Sequence, residues 1–316
     1  MQKSRQVHVI VGAGPVGSAT AELLVAADHH VRIITRSGAG PEHPRVERVA
    51  ANAADHAVLG PLTKDAAVIY NCANPAYTRW PLDWPPLAAS LLAAAEGIDA
   101  VLVTTSNLYA YGPVDHPMTE SDPMAATGPK GRVRAQMWNE AEAAHDAGRI
   151  RATEARASDF FGPGVTGSVF GERVMPRLLA GKTLRFLGDP DAPHSLTYGP
   201  DVARALVVLG ADERAWGRPW HVPTGPALSM RATTQAAARA SGAPTPKVGV
   251  LPPWAMKVGA LVSPMIRELQ ETAYQFDRPF VLDSTAFTAT FGWRATPLDE
   301  ALAATSAWWQ ERAVAA

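Results

Sequence analysis

The chain has 316 residues, room for one large α/β unit or for a nucleotide domain with a smaller cap. Apolar residues make up 47% of it, enough for a full core and against disorder. A formal net charge of −1 gives no footprint for nucleic acid or an anionic membrane, and one cysteine, Cys72, excludes a disulfide framework and a cysteine-built metal site.

Residues 1–6 are polar and lead straight into a strand, the pattern expected where no signal peptide is present. No apolar run approaches the roughly 18–20 residues of a membrane span. Short apolar runs at 7–11, 31–35, 48–51, 67–72 and 100–105 alternate with helical patterns at about 15–27, 86–96 and 131–147. That alternation predicts βαβ units and a parallel sheet whose strands are buried on both faces. A sixth strand is expected at 151–157, and the glycine-rich stretch 161–167 turns the chain.

The second half predicts helices at about 168–180, 200–210, 229–241, 263–275 and 297–313, joined by proline-rich connections. Ser229 and the pair Ser263-Pro264 mark helix starts, the latter as an N-cap with proline at the first helical position. The reading is an α/β chain: a doubly wound parallel sheet of Rossmann type over 1–165, then a smaller, mostly helical cap over 166–316. A helix and a short strand at about 195–224 return to the main sheet.

The strongest local signal is Val9-Ile10-Val11-Gly12-Ala13-Gly14-Pro15-Val16-Gly17, which follows an apolar strand and opens a helix. That context predicts a dinucleotide site. Gly12 permits a tight turn, Gly14 lets a pyrophosphate approach the backbone, and Gly17 lets the helix pack on the sheet; Pro15 and Val16 complete the cradle. Unpaired N–H groups at the helix start would hold the phosphates. At the end of the second strand, where NAD sites usually carry an acid for the ribose diol, the chain has Arg36 beside Ser37. An arginine fork suits a 2′-phosphate, so the expected cofactor is NADP(H); the alternative is an ordinary exposed arginine.

With these motifs in order, the chain resembles the extended short-chain dehydrogenases/reductases, the group of NAD(P)-dependent epimerases and dehydratases. Further matching pieces are Asp55 in a third-strand segment 51–55, the fourth-strand end 71–74, and the serine-rich loop 104–113 that closes in Tyr111-Gly112. The stretches 156–164, 196–203 and 280–309 continue the likeness. The resemblance implies that Asn52 contacts the adenine, that Ala73, Asn74 and Thr105 line the cofactor, and that Ser158 lies near the nicotinamide.

The family's Tyr-x-x-x-Lys pair is missing. There a lysine cation lowers the tyrosine pKa so that it can exchange a proton with substrate. None of the six tyrosines (Tyr70, Tyr77, Tyr109, Tyr111, Tyr198, Tyr274) has lysine four residues on, and the expected place reads Lys130-Gly131-Arg132-Val133-Arg134. The family's loop serine or threonine is replaced by Asn107, next to Ser106. Substitute proton donors are therefore sought among Ser106, Asn107, Tyr109, Tyr111, Lys130 and Asp159. His194 stands where the family tends to carry an arginine that clamps a nucleotide diphosphate, a poorer partner when neutral. Trp254, with Met256, Met265, Ile266 and Phe276, offers an apolar substrate lining.

Three functions fit. The first is an NADP(H)-dependent oxidoreductase acting on a small, largely apolar carbonyl-type substrate. The second is a nucleotide-sugar epimerase or dehydratase, and the third a non-catalytic NADP(H)-binding redox sensor. The expected setting is cytoplasmic, with a small-molecule partner, no nucleic acid, no membrane, no metal, and room for a homodimer.

Overall fold

A computed structural model describes residues 7–315. The first strands and helices are β1 (Val7–Val11), α1 (Pro15–Ala26), β2 (His30–Thr35), β3 (Val46–Ala50), α2 (His56–Thr63), β4 (Ala66–Asn71), α3 (Trp80–Glu96), β5 (Val101–Asn107), α4 (Pro129–Asp146) and β6 (Arg151–Ala157). The chain continues through β7 (Asp159–Phe161), α5 (Met175–Leu179), β8 (Leu184–Phe186), β9 (Pro193–His194), β10 (Leu196–Tyr198), α6 (Gly199–Ala211) and β11 (Pro219–His221). It ends with β12 (Leu228–Ser229), α7 (Met230–Ser241), β13 (Val248–Val250), α8 (Pro253–Val262), α9 (Pro264–Leu269), α10 (Tyr274–Asp277), α11 (Thr285–Phe291) and α12 (Leu298–Ala315).

The chain forms two compact units. The first comprises residues up to Ala110, Pro129–Arg156 and Val202–Val222; the second comprises Tyr111–Gly128, Ala157–Asp201 and Pro223 onward. The first unit holds a seven-stranded parallel sheet in the order β3-β2-β1-β4-β5-β6-β11. This is the doubly wound arrangement, with the order reversing between β1 and β4. Its middle strands are buried on both faces, as their runs of β-branched residues require: Val9, Ile10, Ile33, Ile34, Ile69 and Val103 have almost no exposure. Trp84, Leu87 and Leu91 of α3 pack in the same core. β11 is the returning strand and pairs with β6 in parallel, Trp220 opposite Ala155.

The second unit is built around helices α5, α7 and α12, with Phe170, Met175, Phe186, Met230, Leu302 and Trp309 in its core. Three two-stranded pieces accompany them: β7 with β10, β8 with β13, and β9 with β12. Ser229 caps α7 by accepting from the Ala232 N–H, and Gly242 ends that helix in the left-handed region at φ +69°.

Several elements differ from the sequence expectation. The helix expected at 168–180 is confined to α5. Residues 166–174 form tight turns instead, closed by the Glu172 N–H donating to the Thr166 carbonyl, an approach that requires glycine at 171 because a Cβ there would lie against that carbonyl. The helix expected at 263–275 stops at Leu269 and tightens into successive i to i−3 turns before α10. α3 starts six residues earlier than expected: Pro81 sits in its first turn, where a missing N–H costs little, and Pro85 and Pro86 lie inside the helix. The third strand ends at Ala50, so Asp55 is not in a strand but caps α2, its carboxylate accepting from the Ala57 N–H.

Candidate functional site

In the first unit, the turn between β1 and α1 tests whether a dinucleotide fits. Gly12 has φ +103°, and a Cβ there would lie 2.6 Å from the Cys72 carbonyl oxygen. A Cβ at Gly17 would lie 2.1 Å from the Gly12 oxygen. Both glycines are thus enforced by the chain itself. Gly14 is different: a Cβ there meets nothing within 4 Å. Gly14 is the N-cap of α1 with no side-chain cap, Pro15 follows it, and the first turn contains no acid. The helix start is an open, positively polarised backbone cradle, which suits a pyrophosphate. Val16 is buried beneath it.

At the end of β2, Arg36 and Ser37 are both exposed. The other arginines of this edge are committed to carboxylates: Arg32 to Glu47 and Asp65, Arg45 to Asp28, and Arg48 to Glu42. Arg36 has no such partner among the described residues. The exposed Asn52 folds back, its Oδ1 accepting from the Ala54 N–H at 3.2 Å, and begins the turn into α2.

At the carboxyl ends of β4 and β5, the buried Asn71 side chain accepts from the Ala73 N–H at 3.3 Å and sets the strand exit, with Asn74 exposed beyond it. Thr105 donates its hydroxyl to the Cys72 sulfur at 3.7 Å, and burial pushes that thiol up to about 12, so Cys72 is an inert spacer. The Ser106 hydroxyl is buried without a hydrogen-bond partner among the described residues. Asn107 Oδ1 accepts from the Tyr109 N–H at 3.1 Å, fixing the turn out of β5.

An aromatic cluster with two cations lies next to this turn. Lys130, in the first turn of α4, is fully buried, and its Nζ is 4.7 Å from the centre of the Tyr77 ring. Arg134, one turn on, stacks between Trp80 at 4.5 Å and Trp84 at 4.3 Å and reaches the Thr105 carbonyl at 3.4 Å. Burial pushes the Arg134 guanidinium down to about 10, against the pull of Glu154; it stays charged at neutral pH. Trp80 touches both Tyr77 and Tyr109, at ring distances of 5.3 and 5.8 Å. The structure therefore brings Lys130, Tyr109 and the β5 end to one cluster. It adds Tyr77 and Trp80, which the sequence did not mark as functional because both lie about 50 residues before α4.

In the second unit, Ser158 is buried; its N–H donates to Thr197 Oγ1 at 3.0 Å, and Thr197 is bonded on to Thr224. His194 is also buried, stacked on Phe276. Its Nε2 lies 2.9 Å from Asp159 Oδ2 and its Nδ1 3.1 Å from the Gln275 carbonyl. Both ring nitrogens are thus engaged within the second unit. Tyr111 is buried. Trp254 is 68% exposed, on α8. Among the described residues no cluster of three or more His, Cys, Asp or Glu could hold a metal ion, and no helix is long and apolar enough to cross a membrane.

The family model described as "NAD dependent epimerase/dehydratase family" matches residues 8–221. No curated protein matches the chain. Among solved structures, the Bordetella bronchiseptica enzyme WbmH in complex with NAD+ is 21% identical at a TM-score of 0.74, over 97% of this chain and 98% of that one. The UDP-glucose 4-epimerase of Thermotoga maritima, solved with UDP-glucose, is 17% identical at 0.79, over 98% and 100%. The dTDP-glucose 4,6-dehydratase of Bacillus anthracis, in complex with NAD, is 18% identical at 0.76, over 97% of each chain. At these identities the likeness is one of fold.

Proposed function

The chain belongs to the NAD dependent epimerase/dehydratase family, and we propose that it is an NADP(H)-dependent oxidoreductase acting on a small carbonyl-type substrate without a nucleoside diphosphate. Arg36 carries the cofactor choice. It is the exposed cation at the end of β2 that the carboxylates of this edge leave unengaged. A guanidinium held open there favours a 2′-phosphate over a ribose diol.

In this reading the β1–α1 turn from Gly12 to Gly17 holds the pyrophosphate. Arg36 and Ser37 hold the 2′-phosphate, Asn52 meets the adenine, and Ala73, Asn74 and Thr105 line the rest. Ser158 is assigned to the nicotinamide end. The bound dinucleotide supplies hydride chemistry; the chain binds it, orients it and supplies protons from groups at the β5 end and the head of α4. Apart from Ser158, the cofactor residues belong to the first unit, and substrate is assigned to the second, in a cytoplasmic enzyme with small-molecule partners.

The substrate class rests on His194. Both of its nitrogens are already engaged, and it is buried, so it is not offered to a diphosphate. Titrating NADP+ and NAD+ by calorimetry into wild type and Arg36→Ala tests the cofactor. The substitution should weaken NADP+ by about tenfold and leave NAD+ nearly unchanged, since an exposed charged hydrogen bond lies at the lower end of its usual range. Equal wild-type affinities, or equal losses, would make Arg36 a surface residue only.

A second reading, a nucleotide-sugar epimerase or dehydratase, is favoured by relatives whose descriptions name UDP-glucose or dTDP-glucose chemistry. Tight binding of UDP-glucose or dTDP-glucose in the same calorimeter would promote it and remove the small-substrate reading.

A further inference from the structure

We propose that Tyr77, with Lys130 as its cation, supplies the proton-donating phenol that is missing from α4; the inference rests on the oxidoreductase reading above. The two residues reach each other from different segments. Lys130 opens α4, at the head of the Lys130-x-x-x-Arg134 run, and its buried Nζ lies 4.7 Å over the Tyr77 ring. Tyr77 begins the short 3-10 turn Tyr77–Arg79, six residues after β4 ends. It lies on the segment that leaves the carboxyl end of β4, one of the two strands of the β1/β4 switch point, where doubly wound sheets bind their ligands. It is only half-buried, whereas Tyr70 and Tyr111 are buried.

A cation within about 4–6 Å favours the ionised phenol by roughly one unit or more, and a buried ammonium is little screened. Glu154, which acts on the nearby Arg134, is itself paired with Arg156. Arg134 sits behind Trp80, the ring that touches Tyr77, and adds positive potential. Arg79 and Asp83 neutralise each other in a two-bond ion pair. Tyr109 meets the cluster through Trp80.

In the proposed step the Tyr77 O–H bond breaks as an O–H bond forms on the substrate oxygen. The phenolate left behind faces the Lys130 ammonium, and the reduced dinucleotide is the reductant that balances the carbonyl's conversion to an alcohol.

The test is a tyrosinate absorbance titration of the full chain, taken as the difference between wild type and Tyr77→Phe. Tyr77 should titrate about one unit or more below the ordinary tyrosine value of about 10. Lys130→Met should move it back up, while Lys130→Arg, which keeps the charge and guards against a folding defect, should not. Saturating NADP+ should shift Tyr77 further down, because the oxidised nicotinamide ring is a cation. A Tyr77 that titrates at 10 or above in wild type overturns the proposal, as does one that does not respond to NADP+ when calorimetry of the same sample shows the dinucleotide bound. If neither NADP+ nor NAD+ binds, the oxidoreductase reading fails instead, and the cofactor-free titration still decides the Tyr77–Lys130 pair.

Discussion

Gly12, Gly14 and Gly17 look alike in the motif and differ in what enforces them. At Gly12 and Gly17 an added methyl would collide with backbone oxygens, and Gly12 also needs a left-handed φ. Neither obstacle can move aside cheaply, so Gly12→Ala and Gly17→Ala should each cost on the order of 2–3 kcal/mol of stability. Gly14→Ala meets open space and should leave the thermal midpoint nearly unchanged while weakening dinucleotide binding by about tenfold or more. Thermal melts beside calorimetric titrations separate the two classes. Equal destabilisation by all three would mean that Gly14, too, serves only the turn. The same residue-scale contrast applies to Arg36 and Lys130. Both were visible in the sequence as departures from a family pattern, but only the fold shows that one is left open and the other lies over Tyr77.

At the scale of elements, capping chemistry decided which helices could be read in advance. α7 has a serine that bonds its third N–H and a glycine in the left-handed region after its last turn, and both ends lie where the sequence signals them. Ser229→Ala should therefore cost about 1 kcal/mol, read as a shift of the denaturant midpoint at constant slope. Loss of less than about a quarter of that would mean α7 is held by its packing on α12 alone.

The long strands of the sheet and α1, α4, α6, α7 and α12 were legible because each offers several turns or a buried run to a periodic pattern. The strand pieces of the second unit were not. β9 and β12 are two residues each, too short for any alternation, and their pairing is fixed by tertiary contacts such as the His194 to Phe280 bridge. Prolines misled: Pro61 lies inside α2 and Pro85 inside α3, where the sequence suggested loop, and Pro86, expected at the start of a helix, lies within one. In the candidate site, the glycine turn and Arg36 are local in sequence and could be found. The cluster of Tyr77, Trp80 and Lys130 joins distant segments, and no spacing announces it.

At the scale of the molecule, the sheet carries a titratable group that links its stability to pH. His8 is buried on β1, in the middle of the sheet, with its ring 4.4 Å from that of His29 and Nδ1 3.3 Å from the Tyr70 hydroxyl. Burial first, and the neighbouring His29 second, push its pKa down to about 4, from an ordinary value of 6.5. The folded chain thus keeps His8 neutral between these values while the unfolded chain binds a proton. Unfolding takes up that proton, so stability is highest above pH 6.5, falls as pH drops toward 4, and levels off below. Discounted for residual solvent access, the loss between pH 7 and pH 5 is about 1–2 kcal/mol.

His116 works in the opposite sense: its hydrogen bonds to Asp122 and Asp115 raise its pKa, which favours the folded state at lower pH. It is exposed, so solvent screening leaves His8 the larger influence. The carboxylates held low by arginines, Asp65 and Asp191 among them, respond only at lower pH, below the ordinary carboxylate range. His8→Phe keeps a ring of similar size and removes the titration. It leaves the Tyr70 hydroxyl without its partner, a cost that is the same at every pH. Urea unfolding of both proteins at pH 7 and pH 5, followed by amide exchange in β1 and β4, isolates the term. Wild type should lose about 1–2 kcal/mol on acidification, and His8→Phe should lose less by about 1 kcal/mol. Parallel losses in the two proteins would move the acid sensitivity elsewhere, with the exposed ion pairs as the next groups to test.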